Sequence, residues 1–123
     1  MSEVTGGCYC GAIRYRILEQ PDTGICYCEN CRKAVGAQSV AWVNAPRNEV
    51  DVVQGEPTRY AAPNGSVWSF CANCGSTLFW ERDDESFAVT TGSLDEPAGF
   101  APGTASWEED RLPWVTPFGK EGG

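Results

Sequence analysis

The chain of 123 residues contains no histidine. Without imidazole there is no Cys-His or Ser-His nucleophile pair, no histidine general base and no nitrogen ligand for a metal; catalysis has to rest on a metal, a carboxylate or a tyrosine. Cations are scarce as well, with 9 Lys and Arg against 17 Asp and Glu and a net charge of −8. That balance opposes nucleic acid, whose binding is driven by cations neutralising phosphates, so no nucleic-acid partner is expected. No stretch approaches the ~20 apolar residues of a membrane span, and neither low-complexity sequence nor a solenoid repeat is present. Met1 to Gly7 lacks both a basic and an apolar region and does not read as a signal peptide. The expectation is one cytoplasmic domain over residues 1–123, with no membrane partner and with residues 119–123 as a frayed tail.

Against these absences stands a surplus of cysteine. Seven residues fall into three clusters: Cys8-Tyr9-Cys10, Cys26-Tyr27-Cys28-Glu29-Asn30-Cys31 and Cys71-Ala72-Asn73-Cys74. A disulfide framework would leave one of an odd number unpaired, and C-x-C and C-x-x-C pairs in a reducing compartment point to metal instead. A closed structural zinc takes four protein ligands, whereas a catalytic zinc keeps three and leaves a position for water or substrate. Seven thiols allow one site of each kind, although spacing alone does not say which clusters share an ion. In extended backbone residues i and i+2 share a face, so Cys8 with Cys10 and Cys26 with Cys28 would present paired sulfurs. Cys71 to Gly75 reads as a zinc knuckle, with Gly75 able to take the positive φ that a tight C-x-x-C turn requires.

The apolar pattern elsewhere has period two, in short runs bounded by Gly, Pro and Asn. Ala12 to Leu18, Ser39 to Val43, Val50 to Val53, Val67 to Phe70, Thr77 to Trp80 and Phe87 to Thr91 read as strands. Turns are expected at Pro46-Arg47-Asn48, Pro63-Asn64-Gly65 and Asp83-Asp84. Only Glu29 to Val35 has the makings of a helical turn, so the class is mainly β. Glu108-Glu109-Asp110 reads as a solvated acidic loop.

Several motifs together resemble the glutathione-dependent formaldehyde-activating enzyme family, also called centromere-protein-V-like. They are Gly6-Gly7-Cys8-Tyr9-Cys10-Gly11 through Tyr15, Cys26-x-Cys28-x-x-Cys31-Arg32 with Gly36-Ala37, Phe70-Cys71-x-x-Cys74-Gly75 with Leu78, and Gly92-Ser93-Leu94-Asp95 before Pro97. The resemblance implies an Mss4-like fold of several short coiled antiparallel sheets stapled by two zinc ions per chain. It implies that Cys8, Cys10, Cys71 and Cys74 hold a structural zinc. It further implies that Cys26, Cys28 and Cys31 hold a second, less firmly bound zinc with an open position, and act in catalysis. The implied activity is that of a carbon-sulfur lyase, activating a thiol such as glutathione for addition to formaldehyde or a related aldehyde. A non-catalytic zinc-stabilised binding or scaffold module is the alternative. Two departures stand out: Tyr27 replaces a common histidine, and a common His-Ile pair is absent near Thr104 to Ser106.

The remaining candidates have two readings each. Arg32 and Lys33 would offset the charge of the second zinc or engage a glutathione carboxylate, or else form a solvated basic pair. Trp42, Trp68, Trp80, Trp107 and Trp114 would line a pocket, with core the favoured place for Trp42 and Trp80. Glu29 would close the second zinc as a fourth ligand if it reached it.

Overall fold

The period-two runs become strands because alternate residues can be buried on one face of a sheet while their neighbours face outward. The structure, a computed structural model, describes residues 3–82 and 86–118. The turn expected at Asp83-Asp84 and the tail from Gly119 onward lie outside these residues. The strands are β1 (Val4–Gly7), β2 (Arg14–Ile17), β3 (Asp22–Cys26), β4 (Val40–Asn44), β5 (Val50–Gln54), β6 (Thr58–Ala61), β7 (Ser66–Phe70), β8 (Thr77–Arg82), β9 (Ser86–Thr90) and β10 (Thr104–Ser106). The one α-helix among the described residues, α1, spans Glu29–Val35, as its sequence suggested.

Two sheets result, one in the order β1-β2-β5 and one of seven strands in the order β10-β3-β4-β9-β8-β7-β6. Pairing is antiparallel throughout except between β10 and β3, which run parallel. The exception is a three-residue edge strand that arrives after a long excursion, so no hairpin dictates its direction.

The two faces of the larger sheet are covered differently. Register sets Val43, Val89 and Phe79 in one row. They pack with Ile13, Tyr15, Ile17 and Leu94 in the main core. Full burial of side chains such as Ile17, Val43, Leu78 and Val89 contributes about 1.5–3 kcal/mol each. On the other face a second row runs Asn44, Ala88, Trp80, Trp68, Tyr60 across β4, β9, β8, β7 and β6. Cys31 of α1 packs there against Val40, Trp42, Trp68 and Ala88.

Seven residues are too few for a helix stable by itself, and α1 is held at both ends. Cys28 is its N-cap, and Gly36, with φ of 76°, closes the C-terminus by donating its N–H to Arg32 O at 2.7 Å. Among the described residues one charged side chain is sunk into the sheet: Glu81, on β8, is buried and paired with Arg47 and, at 3.2 Å, with Arg59.

Candidate functional site

The first and third cysteine clusters converge although more than 60 residues separate them. Cys8 and Cys10 sit in a turn at the tip of the β1–β2 hairpin, closed by Gly11 N–H donating to Cys8 O at 3.1 Å. They are therefore not on extended backbone as the C-x-C spacing suggested. A turn brings the two sulfurs to 3.7 Å, and the middle residue, Tyr9, points into solvent. Cys71 and Cys74 occupy the turn between β7 and β8, where Gly75 N–H reaches Cys71 O at 2.7 Å and Gly75 takes φ of 83°. Cys10 and Cys71 sulfurs are 3.9 Å apart, and all four lie within 4.8 Å of one another. Tetrahedral zinc with bonds of about 2.3 Å would set its sulfurs about 3.8 Å apart, so this donor set fits such an ion. Donors already surround the sulfurs: Ile13 N–H to Cys8 at 3.2 Å, Asn73 Nδ2 to Cys10 at 3.2 Å, and Ser76 Oγ beside Cys74 at 3.2 Å. The Ser76 hydroxyl, with the Ser76 backbone, lowers the Cys74 thiol to about 6. Tyr9 N–H also donates to Ser76 Oγ at 2.9 Å, tying the two turns together.

The middle cluster forms a separate group. Cys26 ends β3, Cys28 caps α1, and Cys31 lies in the first helical turn; the three sulfurs lie within 4.8 Å of one another. Backbone N–H groups point at them, from Cys31 to Cys28 at 3.3 Å and from Cys28 to Cys26 at 3.5 Å. A hydrogen bond from the Cys31 thiol lowers Cys26 to about 6 against the opposing effect of burial. The same bond, with burial, pushes Cys31 strongly up. Three sulfurs this close are a donor set that a divalent metal could fill by displacing the thiol protons. Glu29 is exposed and does not join the three sulfurs.

All three cysteines border a cavity of about 470 Å³, and none of the four in the other cluster does. Its sheet wall comes from Trp42, Trp68, Trp80 and Ala88, and the segment after β10 adds Trp107 and Asp110. Trp42 is thus both core and cavity wall, while Trp80 is half-buried rather than a core residue. Trp114 is exposed and borders none of it. Asn30, Asn64 and Trp68 also border an adjoining hollow of about 740 Å³ that includes Lys33. Neither Arg32 nor Lys33 reaches the first cavity; the cation there is Arg82. Tyr27 turns away from the sulfurs and is buried, its hydroxyl accepting from Phe118 N–H at 2.9 Å. Asp110, read from sequence as one of a solvated run, borders the cavity close enough for its charge to oppose ionisation of Cys26. Like its neighbours Glu108 and Glu109 it is exposed, as expected of the run; what sets it apart is that it stands at the cavity edge. Nothing in the local sequence separates Asp110 from them; only the return of β10 to β3 does so.

Comparison with known proteins gives a family and a fold. A family model described as "Glutathione-dependent formaldehyde-activating enzyme" matches residues 3–110. A curated protein of Schizosaccharomyces pombe, named an uncharacterized lyase, is 32% identical over 93 residues, which is 75% of this chain and 62% of that protein. The chain thus spans less than two thirds of this relative's length. A Rhodobacter sphaeroides protein of known crystal structure shares the fold, with a TM-score of 0.65 and 24% identity over 82% of this chain and 98% of that one.

Proposed function

The chain belongs to the glutathione-dependent formaldehyde-activating enzyme family, and on that premise we propose that it is a carbon-sulfur lyase that joins a thiol such as glutathione to formaldehyde or a related aldehyde. One observation carries the reading: all three cysteines of the middle cluster border the tryptophan-walled cavity, whereas of the four-cysteine cluster only Cys8 borders a hollow, a separate one that no tryptophan lines. Cys8, Cys10, Cys71 and Cys74 would hold a structural zinc, and Cys26, Cys28 and Cys31 a second zinc with one ligand fewer than a closed site. Zinc held by three thiolates has most of its charge offset, and what it supplies is a place to keep an incoming thiol as thiolate at neutral pH.

The reaction forms one bond and moves one proton. The sulfur bonds to the carbonyl carbon as the π pair of C=O moves to oxygen; the proton lost by the thiol ends on that oxygen, giving an S-hydroxymethyl adduct when the aldehyde is formaldehyde. Reversal cleaves the carbon-sulfur bond. In a chain without histidine, Glu29 and Asp110 are the carboxylates that border the cavity, and they take and return the proton. Seven free thiols suit a reducing cytoplasm.

The test is a glutathione titration of the cobalt-substituted protein, following sulfur-to-cobalt charge-transfer absorption, with Cys28→Ser as control. A saturable change absent from the variant supports the reading. No change, with both sites verified as filled, would move the assignment to a non-catalytic zinc-stabilised scaffold.

A further inference from the structure

Four of the five tryptophans border the cavity beside Cys26, Cys28 and Cys31. Three belong to the sheet. Trp68 and Trp80 are direct cross-strand partners, and the ring centroids of Trp42 and Trp68 are 5.9 Å apart, tilted by 51°. Small residues stand beside two of them, Gly24 opposite Trp42 and Ala88 opposite Trp80, so the floor is low there. The fourth, Trp107, follows β10. It is 58% exposed, and it is the one non-glycine residue among those described with positive φ, at 58°. A bulky side chain in the left-handed region is a strained choice that surrounding structure must maintain. Burial does not explain it, and Trp107 caps its 3-10 turn without a side-chain hydrogen bond. What the strained backbone provides is an indole at the cavity.

A hydroxymethyl group is too small to meet several indoles at once, whereas about 470 Å³ lies within the ~300–1,000 Å³ range of cavities that hold drug-sized molecules. The charged side chains at the cavity, Glu29, Asp110 and Arg82, leave a net negative charge, which does not favour holding a substrate body by its carboxylates. Aromatic contact is the affinity this wall offers. We propose that the cavity selects a thiol adduct whose aldehyde-derived portion bears a flat, ring-sized apolar group, stacked by Trp42, Trp68, Trp80 and Trp107, with Trp107 as a specificity-determining residue. The inference rests on the thiol-adding reading and names its substrate class.

Two stable thioethers that differ only in the ring, S-benzylglutathione and S-methylglutathione, test it by calorimetric titration of the zinc-loaded protein. The benzyl compound is expected to bind at least about tenfold more tightly, the size of effect that a few aromatic contacts provide. Glycine suits positive φ, so Trp107→Gly should hold or raise the melting midpoint while cutting that preference to about threefold or less. A side chain with only a structural role would show the opposite pair, a lower midpoint and an unaltered preference. As a second variant, Ala88→Leu raises the floor and should weaken the benzyl compound more than the methyl one. Equal affinities in the unmodified protein, no binding of either compound, or a preference unchanged in Trp107→Gly would overturn the proposal. Failure of the thiol-adding reading is seen separately, as a cobalt spectrum that glutathione does not move.

Discussion

Tyr15 shows how single side chains join the small sheet to the core. It is buried edge-on to Phe79, with centroids 5.3 Å apart, and its hydroxyl meets Ser93 Oγ at 2.5 Å. Burial raises its phenol pKa, so the hydroxyl stays protonated and available to that bond. Tyr15→Phe removes the hydroxyl while Ser93 keeps its contacts to Thr90, so urea unfolding should show a loss of about 1 kcal/mol. Nearby, Arg14 reaches both oxygens of Asp95, and Thr5 donates to the same carboxylate. The Arg14 guanidinium, then the Thr5 hydroxyl, hold the Asp95 pKa below its ordinary value. A carboxyl lowered on folding stabilises fully above its unfolded pKa of about 3.9, and that contribution fades as pH falls through the folded value. Because the pair is more than a third exposed, the gap between wild type and Asp95→Asn should be below about 1 kcal/mol at pH 7 and should close toward pH 3 in thermal melts. At this scale the cysteine groups were legible because thiols at such spacings have few other uses. Asp110 and Arg82 were not, because cavity membership depends on strand register and on the returning segment.

Turns and strands decide how well the sulfurs are presented. Gly75 takes φ of 83° with open space where a Cβ would go, so Gly75→Ala meets backbone strain and no clash. The expected cost is about 1–2 kcal/mol, together with faster loss of metal from the four-cysteine cluster in a chelator competition. Leu78 on β8, fully buried, should cost about 2–5 kcal/mol on truncation to Ala, read by chemical denaturation. The strands with clear alternation and α1 were legible in sequence, but β1, β3, β6 and β10 were not. β1 ends in two glycines, β6 and β10 are wholly exposed edge strands, and β3 carries Gly24 where a side chain would mark the pattern. Their pairing comes from neighbours rather than from a buried stripe of their own. The parallel union of β10 with β3 had no local signal at all, and it brings Trp107 and Asp110 to the cavity.

The molecule as a whole carries a charge of −8, which repels an anionic thiol approaching from solution. Salt screens that repulsion, so kcat/KM for glutathione should rise by about two- to fivefold between low and physiological ionic strength, where a favourably steered substrate would show a fall. The segment from Thr104 to Phe118 also has a consequence in time. Ser106 O accepts from Tyr27 N–H at 3.1 Å, and Phe118 N–H donates to the Tyr27 hydroxyl, so the three-cysteine loop is anchored by residues made late. All four cysteines of the other cluster have been synthesised once Cys74 is in place, 44 residues before Phe118. At about 5–20 residues per second on the ribosome, roughly 2–9 s separate the two events. Under the proposed two-site assignment, the nascent chain would be able to capture its first ion while still being translated, and the loop proposed for the second would acquire its anchor only afterwards.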